Sequence, residues 1–185
     1  MKLYLKILLI SLTCIFAITS NASSNERVPL WGSTYYGMSL KEVLLIQSNA
    51  KTKPDNIKTL LLNPNEQALA KLDNIEIAGE TFNAWFIFND DKLSKVKLIL
   101  LPKVNGTGTS MSTDYFNALY NQYSLLLISK YGNPAIKTWQ DYAPLNIHLW
   151  SAEWIFGFTS ISLKSEKSEL EITYSAQYAD DLRKL

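Results

Sequence analysis

The chain has one cysteine, Cys14, and one histidine, His148, in 185 residues. Cys14 lies in an apolar N-terminal run that reads as a removable leader, so the exported chain carries no thiol. That excludes a disulfide framework, a thiol nucleophile and cysteine-ligated metal, and leaves stability to packing. A single histidine cannot build a multi-histidine metal site. No Gly-x-Gly-x-x-Gly, phosphate loop or Gly-x-Ser-x-Gly elbow occurs, so no cofactor is implied. Asp90-Asp91 and Asp180-Asp181 fall in a turn and in the tail, without the alternating oxygen ligands of a calcium loop. A net charge of +1 gives no reason to expect nucleic acid as a partner.

What is present begins with an export signal. Lys2 and Lys6 precede an apolar run from Ile7 to Ile18, and Ser20-Asn21-Ala22 places small residues at a cleavage site. This is the pattern of a secretory signal peptide, with cleavage expected after Ala22. The run is too short for a spanning helix, so no transmembrane anchor is expected after processing. Ser11-Leu12-Thr13 before Cys14 is a poor match to a lipidation signal. Removal of residues 1–22 leaves 16 basic against 17 acidic residues, a charge of −1. The expected location is periplasmic or secreted.

Hydrophobic content of 47% supports a real core. The reading is an α+β domain at residues 31–177, an antiparallel sheet with helices packed on one face. Residues 23–30 are expected to be a flexible leader and 178–185 a charged tail. Ile75 to Leu101 organises this domain. Phe82, Ala84, Phe86 and Phe88 alternate with Asn83, Trp85 and Ile87, so both faces are apolar and the strand is expected at the sheet's interior. Asn89-Asp90-Asp91-Lys92 makes the turn. In the return strand Lys95, Lys97 and Ile99 occupy a half-solvated face.

Elsewhere, Trp31 to Tyr36 has strand-like composition. Ser39 and Glu42 form a capping box that opens a helix running to about Asn49. Asn63-Pro64 predicts a second short helix over Glu66 to Leu72. A long helix is expected from Asp114 to Tyr131, with an apolar stripe through Phe116, Leu119, Tyr123, Leu126 and Leu127. Gly132 and Pro134 end it. Strands follow at Ala135–Tyr142 and Ile147–Phe156, then a hairpin of Phe158–Lys164 and Glu169–Ser175. Helix-then-strands order recurs, which suggests two α-β repeat units, 31–101 and 112–177, joined by a linker at 102–111.

Tyr36-Gly37-Met38-Ser39-Leu40-Lys41-Glu42-Val43 resembles the helix start of small exported α+β modules. These are the β-lactamase-inhibitor-protein-like repeats and the small outer-membrane assembly lipoproteins. Lys130-Tyr131-Gly132-Asn133-Pro134 is similar to their helix end. The resemblance covers about 15 residues and implies a binding module with an exposed sheet face. It transfers no functional residue. The chain departs from the lipoproteins in lacking a good lipidation site, and from the inhibitor-like proteins in lacking cysteines after processing.

Aromatic residues mark the candidate site. Trp139, Tyr142, Trp150 and Trp154 lie in expected strands, and strand alternation gives His148, Trp150, Ala152 and Trp154 one face. Such a face, left uncovered, suits a partner protein of the cell envelope. The expected function is therefore that of an exported, non-catalytic binding protein of the inhibitor, immunity or envelope-assembly type. An exported hydrolase using His148, or Glu153 among its tryptophans, is the alternative.

Overall fold

The computed structural model describes residues 27–52, 54, 60, 62–101, 112–142, 147–166 and 169–177, with the side chains at 141, 142, 147 and 148 outside that description. The proposed signal peptide, the linker at 102–111 and the tail lie outside the described residues.

Among the described residues, eight strands and two helices follow in order: α1 (Leu40–Ile46), β1 (Lys51–Thr52), β2 (Glu66–Ile77), β3 (Glu80–Asn89), β4 (Lys92–Leu100), α2 (Thr113–Tyr131), β5 (Ile136–Tyr142), β6 (Ile147–Phe156), β7 (Thr159–Glu166) and β8 (Glu169–Ala176). All eight strands form one antiparallel sheet in the order β1-β2-β3-β4-β8-β7-β6-β5. Two meanders thus run toward each other and meet where β4 pairs with β8. The expected α+β class is corrected here. A single sheet dominates the described residues, and helices of seven and nineteen residues are the minor part.

Part of that correction has a local cause. Residues Glu66 to Leu72, read above as a helix, are the first half of β2. The turn signal itself is real: the Asn63 amide donates to Glu66 Oε2 at 3.2 Å, and the Glu66 amide donates to Asn63 O at 2.9 Å. The turn launches a strand because pairing with β3 outweighs the modest helix preference of Ala, Leu and Lys. A register shift between Ala68 and Ala70 lets both alanines be buried. Residues 31–34 form a turn rather than a strand, closed by Leu30 N–H donating to Thr34 O at 2.9 Å, and Tyr35 makes only an isolated antiparallel bridge with Pro29. Val28 and Leu30, in the expected leader, are buried.

Other local expectations hold. Ser39 caps α1 with the reciprocal Glu42 contact. Asp90 and Asp91 both take positive φ in the β3–β4 turn, a backbone geometry that Asp tolerates. Ser112 caps α2, and Gly132 closes it at φ 83°.

The sheet's two faces differ. On one side Phe82, Phe86, Leu98, Ile161, Leu163 and Ile172 meet Val43 of α1 and Phe116, Leu119, Tyr120, Tyr123 and Leu127 of α2. Tyr123 Oη fastens α2 to β2 through Ile77 O, and Tyr115 Oη donates to Glu80 Oε2 at 3.1 Å. On the other side Trp85 and Ile87 form a smaller cluster with Leu60 and Ala68. Residues 82–88 are therefore buried throughout, as the two-sided apolar pattern of β3 predicts.

Candidate functional site

Strand register builds the face that no described helix covers, called the helix-free face below. Trp85 of β3 stands beside Lys97 of β4, Lys97 beside Thr173 of β8, Thr173 beside Ser162 of β7, and Ser162 beside Glu153 of β6. The flanking rows carry Lys95, Ser175 and Ser160 on one side and Ile99, Glu171 and Lys164 on the other. Leu60 packs on Trp85 and Ile87 at the β3 end. Beyond β4, these side chains range from partly shielded to exposed.

The floor is organised by charge. Lys95 Nζ meets Glu66 Oε1 at 2.6 Å, and Lys97 Nζ meets Glu171 Oε2 at 3.0 Å. Thr173 Oγ1 donates to Glu171 Oε1 at 2.7 Å, and Ser160 Oγ donates to Glu153 Oε1 at 2.6 Å. Burial works to raise the Glu66 pKa, but Lys95 and the Asn63 amide outweigh it and hold the carboxyl below the usual range. Glu169 is the opposite case. Desolvation, together with the neighbouring charges of Glu171 and Glu166, pushes its pKa up, and Lys97 only partly compensates. A depression of about 400 Å³ lies over this floor, walled by Leu60, Ile87 and Ile99 and by the carboxylates Glu166, Glu169 and Glu171. Among the described residues no group of three or more acids, histidines or cysteines has metal-holding geometry.

The aromatic residues of β5 and β6 divide by depth. Trp154 is 1% exposed, and its Nε1 donates to Gly132 O at 2.8 Å, which makes it part of the core beneath the end of α2. Trp150 is half-buried, its ring 5.7 Å from Tyr120 and 5.6 Å from Trp139. Trp139 is the outermost, 55% exposed on the edge strand. All three belong to the helix-bearing side, since Trp139 is paired with Trp150 and Trp150 is two residues from Ala152 of the core. His148 and Tyr142 sit in β6 and β5, with side chains outside the description. Glu153 lies on the opposite, helix-free side. Positions 148 and 153 are of opposite parity in β6 and about 17 Å apart along it, so the two hydrolase candidates do not form a pair.

Sequence reasoning passed over Ser162, Lys164, Glu171 and Thr173. Their signal was available: Ser160, Ser162 and Lys164 alternate with the buried Thr159, Ile161 and Leu163. That alternation marks a strand with one solvated face.

The described residues thus form a single-sheet module with helices on one face and a mixed polar and apolar surface on the other. The chain matches no known family, curated protein or solved structure. No helix among the described residues is long and apolar enough to cross a membrane.

Proposed function

We propose that this chain is a non-catalytic binding protein that works after export, in the periplasm or outside the cell, and holds a protein partner of the cell envelope on the helix-free side of its sheet. The observation that carries this reading is the stretch of that face from β4 through β8 to β7, which no described helix or strand covers. It sets ordered ion pairs and hydroxyls beside an apolar wall, the mixture found where proteins meet. The resemblance of the α1 start and the α2 end to exported binding modules supports the same conclusion. So does the signal-like N-terminus.

The charge distribution narrows the partner. Glu166, Glu169 and Glu171 crowd one rim, and Glu169 is reluctant to ionise there. A partner side chain bearing a positive charge, such as arginine, relieves that repulsion and gains charge-assisted hydrogen bonds. An inhibitor, an immunity protein or an assembly factor each fits this description.

The test places a bulky charge in the middle of the face. Ser162 is half-exposed there, so Ser162→Arg leaves the core untouched. A photo-reactive residue at position 162 identifies the envelope partner by cross-linking in cells. Ser162→Arg is then expected to lose capture of that partner at an unchanged melting temperature. Undiminished capture by the folded variant would end the proposal.

A further inference from the structure

The two edges of the sheet are built differently. At one edge β1 has only two residues, and β2 behind it carries two register shifts. Lys51 and Lys71 stand side by side there. Short strands, bulges and lysines are devices that keep an edge from pairing with another chain. At the other edge β5 runs for seven residues in unbroken register with β6. It is the last strand of the sheet, so among the described residues no strand pairs with its outer side. Residues 136–140 are exposed, including the large apolar Ile136 and Trp139.

The charges of β5 do not protect it against itself. The strand reads Ile136-Lys137-Thr138-Trp139-Gln140-Asp141-Tyr142, with Trp139 at its centre. Lys137 and Asp141 lie two positions to either side, with opposite sign. A strand with that symmetry is self-complementary in antiparallel pairing.

We propose that two copies of this chain associate through β5, antiparallel about a two-fold axis at Trp139, so that two sheets become one. In this register Lys137 stands opposite Asp141 of the partner subunit, twice over. Opposite charges directly across an antiparallel pair are stabilising, and like charges are destabilising. Trp139 meets its own symmetry mate and extends the existing Trp150–Trp139 contact across the axis. Isologous pairing of this kind is closed, so it stops at a dimer. Two seven-residue strands bury less than the roughly 1,200 Å² of a standard stable interface, which makes the dimer weak and concentration-dependent. The contact lies on the sheet edge and leaves the helix-free face open, so it is independent of the partner site proposed above.

Sedimentation equilibrium on the purified chain tests this over a wide concentration range. The native chain is expected to show a reversible monomer–dimer equilibrium, with Trp139 emission shifting to the blue as the dimer forms. Lys137→Asp sets like charges opposite each other at two places and is expected to weaken association by about tenfold or more. Adding Asp141→Lys to it restores opposite pairing and should return association to near the native value. The double exchange also guards against loss of fold, because a misfolded strand would not be rescued. A chain that stays monomeric at its highest soluble concentration would overturn the proposal. So would association that Lys137→Asp leaves unchanged.

Discussion

Trp154 donates its indole N–H to the carbonyl of Gly132 at 2.8 Å, tying the C-terminal part of β6 to the residue that ends α2. One side chain thereby fills the core and satisfies a helix-end carbonyl that would otherwise lack a partner. The exposed Trp139, in the neighbouring strand, has neither job.

Truncation should separate the two tryptophans sharply. Trp154→Ala is expected to cost about 3–5 kcal/mol, from lost burial and the cavity left behind. Trp154→Phe keeps most of the apolar volume but strands the Gly132 carbonyl, for about 1–3 kcal/mol. Trp139→Ala should lie within about 0.5 kcal/mol of the native chain, as exposed positions usually do. Urea unfolding at low protein concentration measures all three. Equal costs at 154 and 139 would remove Trp154 from the core.

The β2–β3 turn carries an avoidable strain. Ala78 has φ 50° and Gly79 φ 86°, so a residue with a Cβ occupies a left-handed position. That costs an L-residue about 1–2 kcal/mol. Asparagine tolerates the conformation better, and Asn-Gly is the favoured pair in such hairpin turns. Ala78→Asn should raise stability by about 0.5–1 kcal/mol, whereas Ala78→Val should lower it. A shift of the urea midpoint in the same direction for both variants would contradict the strain argument.

Much of the local architecture was legible because it depends on near neighbours. The Ser39–Glu42 box, the Asp90-Asp91 turn and the Gly132 stop each involve contacts within a few residues. The interior position of β3 was legible because both of its faces are apolar. What was not legible depends on partners far along the chain. Ala68 to Leu72 has helix-forming composition, and only its pairing with β3 shows it to be strand. Alternation placed Trp150 and Trp154 on one face but could not say that α2 covers it. The meeting of β4 with β8 brings Lys97 to Glu171 across 74 positions of sequence, and no local pattern announces that pair. The candidate face was thus present as alternation but hidden as an assembly.

Glu169 makes stability on this face depend on pH. Its pKa is raised from the ordinary 4.5, so the folded chain holds this proton to higher pH than the unfolded chain does. A raised carboxyl pKa favours the fold while the group is protonated. That advantage is lost as pH climbs from the ordinary value through the raised one. Glu169→Gln removes the ionisable group. It should be more stable than the native chain at neutral pH, with the gain shrinking toward zero at about pH 4 and below. Paired melting curves across this range supply the measurement. A gain independent of pH would point to a cause other than ionisation.

The same repulsion gives the Lys97–Glu171 pair more than a local role. Both side chains are largely shielded, at 12% and 19% exposure, so removing one partner leaves the other poorly solvated. Lys97→Ala is expected to cost about 1–3 kcal/mol, below the full cost for a deeply buried pair because the face is partly open. Lys97 is also the cation that opposes the rise in the Glu169 pKa. Its loss should therefore steepen the fall of stability between mildly acidic and neutral pH, and Glu169→Gln added to Lys97→Ala should flatten it again. A double-mutant cycle with Glu171→Gln isolates the pair, with a coupling of about 1 kcal/mol or more expected if it is as shielded as its geometry shows. Zero coupling and an unaltered pH profile would reduce the ion pair to a surface contact. The proposed partner face would then lose the ordered floor that prepares it for binding.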